Sequence, residues 1–160
     1  MTDVAAVPTL RAAFRAEIEG HRALLAVLLA EQEALRTANP EAVALAATAK
    51  MRHIGGLEVL ARQRTELMVS LGVALTPAGV ETGSLPKALA LQVKDDWAAL
   101  RAVAAEAQQV NTFNGRLIAR HQRHCETALA TLLQAGGRPP VYGADGRPER
   151  STPGRTLVSI

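Results

Sequence analysis

The chain has 160 residues, enough for one domain with a real core and too few for two full ones. Aromatic residues make up only 2% while the hydrophobic set reaches 48%, so any core is built mainly from alanine and leucine, which favours helices. Lys and Arg number 18 against 15 Asp and Glu, and this net charge of +3 is scattered among acids along the chain. It lacks the basic stripe with interleaved aromatics that marks a nucleic-acid binder.

Val7, Leu10, Phe14, Ile18, Leu25, Leu28 and Leu35 recur at helical spacing and predict a first helix from about 7 to 36, with His21 on the same stripe. Asn39-Pro40 then reads as an N-cap followed by proline at the first helical position, so the chain reverses with almost no linker. The second helix is predicted over about 40–71, carrying Val43, Ala46, Ile54, Leu57, Leu60, Leu67, Met68 and Leu71, with Gly72 as its stop. Gly55-Gly56 interrupts it at a cost of about 1 kcal/mol per glycine relative to alanine. Close backbone approach, a bend and a tolerated defect are the readings open there.

Residues 73–85 contain Pro77, Gly79 and Gly83 without either periodicity and are expected to be an irregular connection. Ser84 and Pro86 can start a short helix near 86, and Asp95 or Asp96 can cap a longer one from about 97 to 135, the two either separate or fused into a third helix. Its positions Trp97, Leu100, Ala104, Ala107, Asn111, Asn114, Ile118, His121, Cys125, Ala128 and Leu132 alternate steps of three and four, a heptad seam. Asn111 and Asn114 are polar on that seam. They either form a register-setting layer, with His21 or Gln32 as candidate partners on the first helix, or meet water where the seam is uncovered.

The expected fold is therefore all-α: an elongated antiparallel three-helix bundle or coiled-coil rod over residues 1–136. Gly136-Gly137 ends the last helix, and residues 137–160, rich in proline and glycine, are expected to form a flexible docking tail. Four arginines outnumber two acids in that tail, and Val141, Tyr142 and Leu157-Val158-Ser159-Ile160 remain apolar.

Chemistry is sparse. Cys125 is the single cysteine, so no intramolecular disulfide is possible, and no secretory leader pattern opens the chain, which makes the cytoplasm the expected compartment. The apolar run Ala23 to Ala30 falls far short of the roughly 20 residues needed to cross a bilayer, so no stable membrane insertion is expected. His121, His124 and Cys125 share one helix face, but a zinc site would need a second ligand cluster, and no histidine has a glutamate three residues before it. Neither metal nor cofactor is expected. No phosphate-binding glycine loop and no nucleophile elbow is present, so the chain does not read as an enzyme. Leu117, Ile118, Leu129, Leu132 and Leu133 give the end of the third helix an apolar face, which is either intramolecular core or a docking surface for a partner helix.

Two strings set in this helical frame, Asn111-Thr112-Phe113-Asn114-Gly115-Arg116-Leu117-Ile118 and Tyr142-Gly143-Ala144-Asp145-Gly146, resemble the FlgN family of flagellar export chaperones. Arg62-Gln63-Arg64 before Leu67, and the closing Leu71-Gly72, also look like the family's second helix. The resemblance implies a cytoplasmic chaperone for flagellar type III export that binds the C-terminal helical segments of the hook-filament junction proteins FlgK and FlgL, prevents their premature association and delivers them to the export gate. With that function, the apolar end of the third helix, Leu117, Ile118, Leu129, Leu132 and Leu133, is the expected client-binding face, and the resemblance implies docking on the gate protein FlhA through Tyr142 and Gly143. A general helical adaptor outside the flagellum is the competing reading.

Overall fold

The structure, a computed structural model, describes residues 3–73, 75–76, 79–80 and 87–136. It contains three helices, α1 (Asp3–Arg36), α2 (Pro40–Ser70) and α3 (Lys87–Gly136), with a two-stranded ladder, β1 (Leu75–Thr76) and β2 (Gly79–Val80), between α2 and α3. The fold is all-α, as expected.

The turn between α1 and α2 closes by local chemistry. The Asn39 N–H donates to the Ala34 carbonyl at 3.0 Å and the Ala38 N–H to that of Leu35 at 3.3 Å, the two bonds of a Schellman ending. Ala38 takes the left-handed conformation this requires, with φ 50°. Asn39 also caps α2, its side chain accepting from the Ala42 N–H at 3.0 Å with Pro40 next in the chain. At the exposed end of α1, the Arg36 guanidinium hydrogen-bonds Glu33, which holds that carboxyl below its usual range and raises the arginine. The far end of α2 repeats the ending with a glycine: Gly72 has φ 86°, its N–H reaches the Val69 carbonyl, and the Val73 N–H reaches that of Met68. Val73 and Met68 are both buried in one core cluster, the apolar contact that accompanies this motif.

Two expectations change here. Residues 75–76 and 79–80 pair antiparallel, Leu75 opposite Val80 and Thr76 opposite Gly79, where an irregular connection was expected. A ladder two residues long has no periodicity to read. Asp96 does not begin a helix: α3 runs through it, and its carboxylate takes the Arg11 guanidinium at 2.7 Å, with Arg15 at 3.9 Å.

The contacts fall into two compact units, Met1–Ile118 and Ala119–Ile160. Within the first, α2 runs antiparallel to α1, since Glu17 meets Arg64 and Glu31 meets Lys50. The helix α3 runs parallel to α1, since Phe14 meets Trp97 and Leu28 meets Asn114. One core cluster holds Leu10, Phe14, Ile18, Met68, Val73, Val93 and Leu100, and a second holds Leu24, Leu28 and Ala107. The buried line of α1 passes through Leu24, not the expected Leu25, because it continues the four-three alternation 10, 14, 17, 21, 24, 28, 31, 35.

At Gly55-Gly56 one of the three open readings is removed. A Cβ at Gly55 or Gly56 would meet nothing within 4 Å, so close approach does not explain the pair. The tight contact is at Gly20, where a Cβ would lie 2.8 Å from Leu57 Cδ2. There α1 and α2 approach closely enough for Leu57 to occupy the space a side chain would take.

Candidate partner-binding surface

The first unit carries two polar layers inside its seams. In one, Arg64 Nε donates to Glu17 Oε2 at 2.6 Å, and the guanidinium lies 5.3 Å from the Trp97 ring centroid. Trp97 in turn meets Phe14 edge to face at 5.5 Å, so the ring against the guanidinium is itself held by the core. In the other, Lys50 Nζ donates to Glu31 Oε1 at 2.6 Å, and Asn114 Nδ2 donates to Glu31 Oε2 at 2.9 Å and to the Leu28 carbonyl at 2.8 Å. Asn114 and Glu31 are buried, and the Asn114 Oδ1 has no hydrogen-bond partner. Each layer joins an acid of α1 to a base of α2, and the two lie two heptads apart on both helices.

These layers decide the two asparagines. Asn114 joins all three helices, but through Glu31 and the Leu28 carbonyl, not through His21 or Gln32. His21 is occupied by its own helix, Nδ1 donating to the Glu17 carbonyl at 2.9 Å. Asn111 is exposed and takes no part, because the seam at that level is filled by Ala107, Val110 and Asn114. Glu17, Glu31, Lys50 and Arg64 do not stand out when only apolar residues are traced. Following the four-three steps regardless of residue type passes through all four.

The sequence-predicted client residues divide. Leu117 and Ile118 are half-buried in the first unit. In the second unit every residue from 120 to 134 is exposed, including Leu129 at 58%, Leu132 at 69% and Leu133 at 68%. Leu129, Leu132 and Leu133 thus form an exposed apolar patch within two turns of the helix. Thr127 and Thr131 donate to the carbonyls of Arg123 and Thr127 on their own helix and so add little to that surface. Leu29 and Phe113, which the sequence reading did not single out, are half-exposed in the first unit beside Leu28 and Asn114. Tyr142 and Gly143 lie outside the described residues.

Among the described residues no group of three or more His, Cys, Asp or Glu is placed to hold a metal ion. A shallow depression along α3 is lined by Ala98, Arg101, Ala102, Ala104, Ala105 and Gln108, a set with neither a general acid nor a nucleophile. No helix among the described residues is long and apolar enough to cross a membrane.

The family model described as FlgN protein matches residues 1–150, a span that contains all three helices and both quoted strings. The chain belongs to the FlgN family. No curated protein and no solved structure matches it. FlgN proteins are a family of flagellar chaperones.

Proposed function

We propose that this FlgN protein is a cytoplasmic chaperone of flagellar type III export that binds the C-terminal helical segments of FlgK and FlgL. In this reading Leu117, Ile118, Leu129, Leu132 and Leu133 receive the client helix, hide its adhesive face and prevent premature association. Tyr142 and Gly143 dock the loaded chaperone on the export gate protein FlhA. The reading is supported by the family match over residues 1–150 and by the exposure of Leu129, Leu132 and Leu133. An aromatic side chain followed by glycine suits docking, since the ring has few rotatable bonds to order and glycine lets the backbone follow the pocket.

The test is a pull-down with the C-terminal segments of FlgK and FlgL. Leu129→Asp with Leu132→Asp should abolish co-purification of both while circular dichroism retains the helix content. Tyr142→Ala should keep both clients and lose binding to FlhA. Client capture undiminished by the aspartates would move the site off this face.

A further inference from the structure

The helices of the first unit are not aligned by the same means. The turn joining α1 to α2 takes up only residues 37–39 and is closed by its own hydrogen bonds, so it fixes how those two helices align. Residues 71–86 separate α2 from α3, and chain length alone permits α3 to sit one heptad, about 10 Å, farther along the pair. Shape discriminates little between such positions. Between Leu100 and Asn114 the α3 side chains at the seam are Val103, Ala104, Ala107 and Val110, small groups that meet one leucine of α1 much as they meet the next. Asn114 breaks this sameness. Among the described residues it is the one polar side chain of α3 that is buried, and its amide is matched to two groups of α1, the Glu31 carboxylate and the Leu28 carbonyl. Lys50 of α2 holds the other oxygen of Glu31. One heptad earlier the same three places hold Leu24, Leu57 and Ala107.

We infer that the layer of Glu31, Lys50 and Asn114 is a register lock, which holds α3 at one lengthwise position on the α1–α2 pair and adds little to stability. The layer is poorly built for stability: it buries a charge pair and leaves the Asn114 Oδ1 without a hydrogen-bond partner among the described residues, and both cost free energy relative to leucine. What it supplies is a difference between registers. Sliding α3 by one heptad toward its N-terminus sets His121 at the level of Glu31 and strands Asn114 beside Leu24, where the seam is apolar. Sliding it the other way sets Ala107 against Glu31, leaves that carboxylate with Lys50 alone, and carries Asn114 past the end of α1. The remaining polar contacts of α3 discriminate less. The Arg11–Asp96 pair lies at the rim, with the Arg11 side chain 43% exposed, and Arg64 keeps Glu17 whether or not Trp97 covers it. The lock thereby decides which residues of α3 the other two helices cover.

The experiment uses the full chain with Cys125→Ser, so that Ala12→Cys and Thr112→Cys, at exposed positions of α1 and α3, carry the only two spin labels. Double electron–electron resonance reads the distance between them, and one heptad of slip moves it by about 10 Å. The parent is expected to give one distance. Replacing the layer by Glu31→Leu, Lys50→Met and Asn114→Leu should leave the urea midpoint at or above the parent's and add a second distance displaced by about 10 Å. Rebuilding the layer one heptad earlier in that variant, with Leu24→Glu, Leu57→Lys and Ala107→Asn, should restore the single parent distance. A triple variant that keeps one distance overturns the inference, because packing then sets the register unaided. So does a triple variant that fails to fold or unfolds at a much lower midpoint, since the layer is then needed for stability. A rebuilt layer that leaves two distances overturns it as well.

Discussion

Ala38 sits at φ 50° in the position that a helix ending of this kind usually gives to glycine, and Gly72 fills the equivalent position after α2. A Cβ in the left-handed region costs about 1 kcal/mol, so Ala38→Gly should raise stability by about that amount. The check is a higher urea midpoint with an unchanged slope. Glu31 tests the opposite kind of residue. Its carboxylate is almost fully buried and depends on Lys50 and Asn114, so Lys50→Met leaves a charge with half its support and should cost about 3 kcal/mol. Replacing Glu31, Lys50 and Asn114 together by leucine or methionine should be neutral or stabilising, since it also removes the unpaired Asn114 Oδ1. A triple variant as unstable as the single one would show that the layer contributes more than the charge it neutralises. Asn114 was legible in the sequence as a polar seam residue. Its partners were not, because a glutamate on a helix reads as solvated until its position on the seam is counted.

The elements themselves were legible where apolar residues repeat over many turns. The spans of α1 and α2 follow from that repeat together with Asn39-Pro40 and Gly72, each of which satisfies backbone groups a helix end leaves open. Prediction failed where one residue could serve two purposes. Asp95 and Asp96 look like caps, yet an aspartate within reach of Arg11 stabilises a continuous helix by pairing outward. Glycine shows a related effect: a Gly-Gly pair draws notice in a sequence, while a lone Gly20 does not, although it is Gly20 and not the pair that a neighbouring side chain crowds. This distinction is measurable. Gly55→Ala and Gly56→Ala meet open space and should each stabilise by about 1 kcal/mol. Gly20→Val places branched methyls against Leu57 and should destabilise by about 1–3 kcal/mol in thermal unfolding. Stabilisation by Gly20→Val would mean that the α1–α2 contact can relax at no cost.

At the scale of the whole molecule, periodicity identifies an apolar stripe without saying what covers it. Up to Asn114 the stripe of α3 is covered by α1 and α2. From Arg120 to Gln134 every side chain is exposed, although the sequence pattern barely changes across that boundary. The difference lies in tertiary contacts, and these determine local stability. A helix of about 15 residues without packing is marginal in water, whereas one joined to a core opens only with that core. Amides at 120–134 should therefore exchange with solvent many-fold faster than those at 97–114 in the free chaperone, as followed by hydrogen–deuterium exchange. On the proposed reading a client helix packed against Leu129 and Leu132 would supply the missing contacts, so adding the C-terminal segment of FlgK or FlgL should slow exchange at 120–134 and leave 97–114 almost unchanged. Slowing confined to the first unit would place the client on another face, with Leu29 and Phe113 the first residues to substitute.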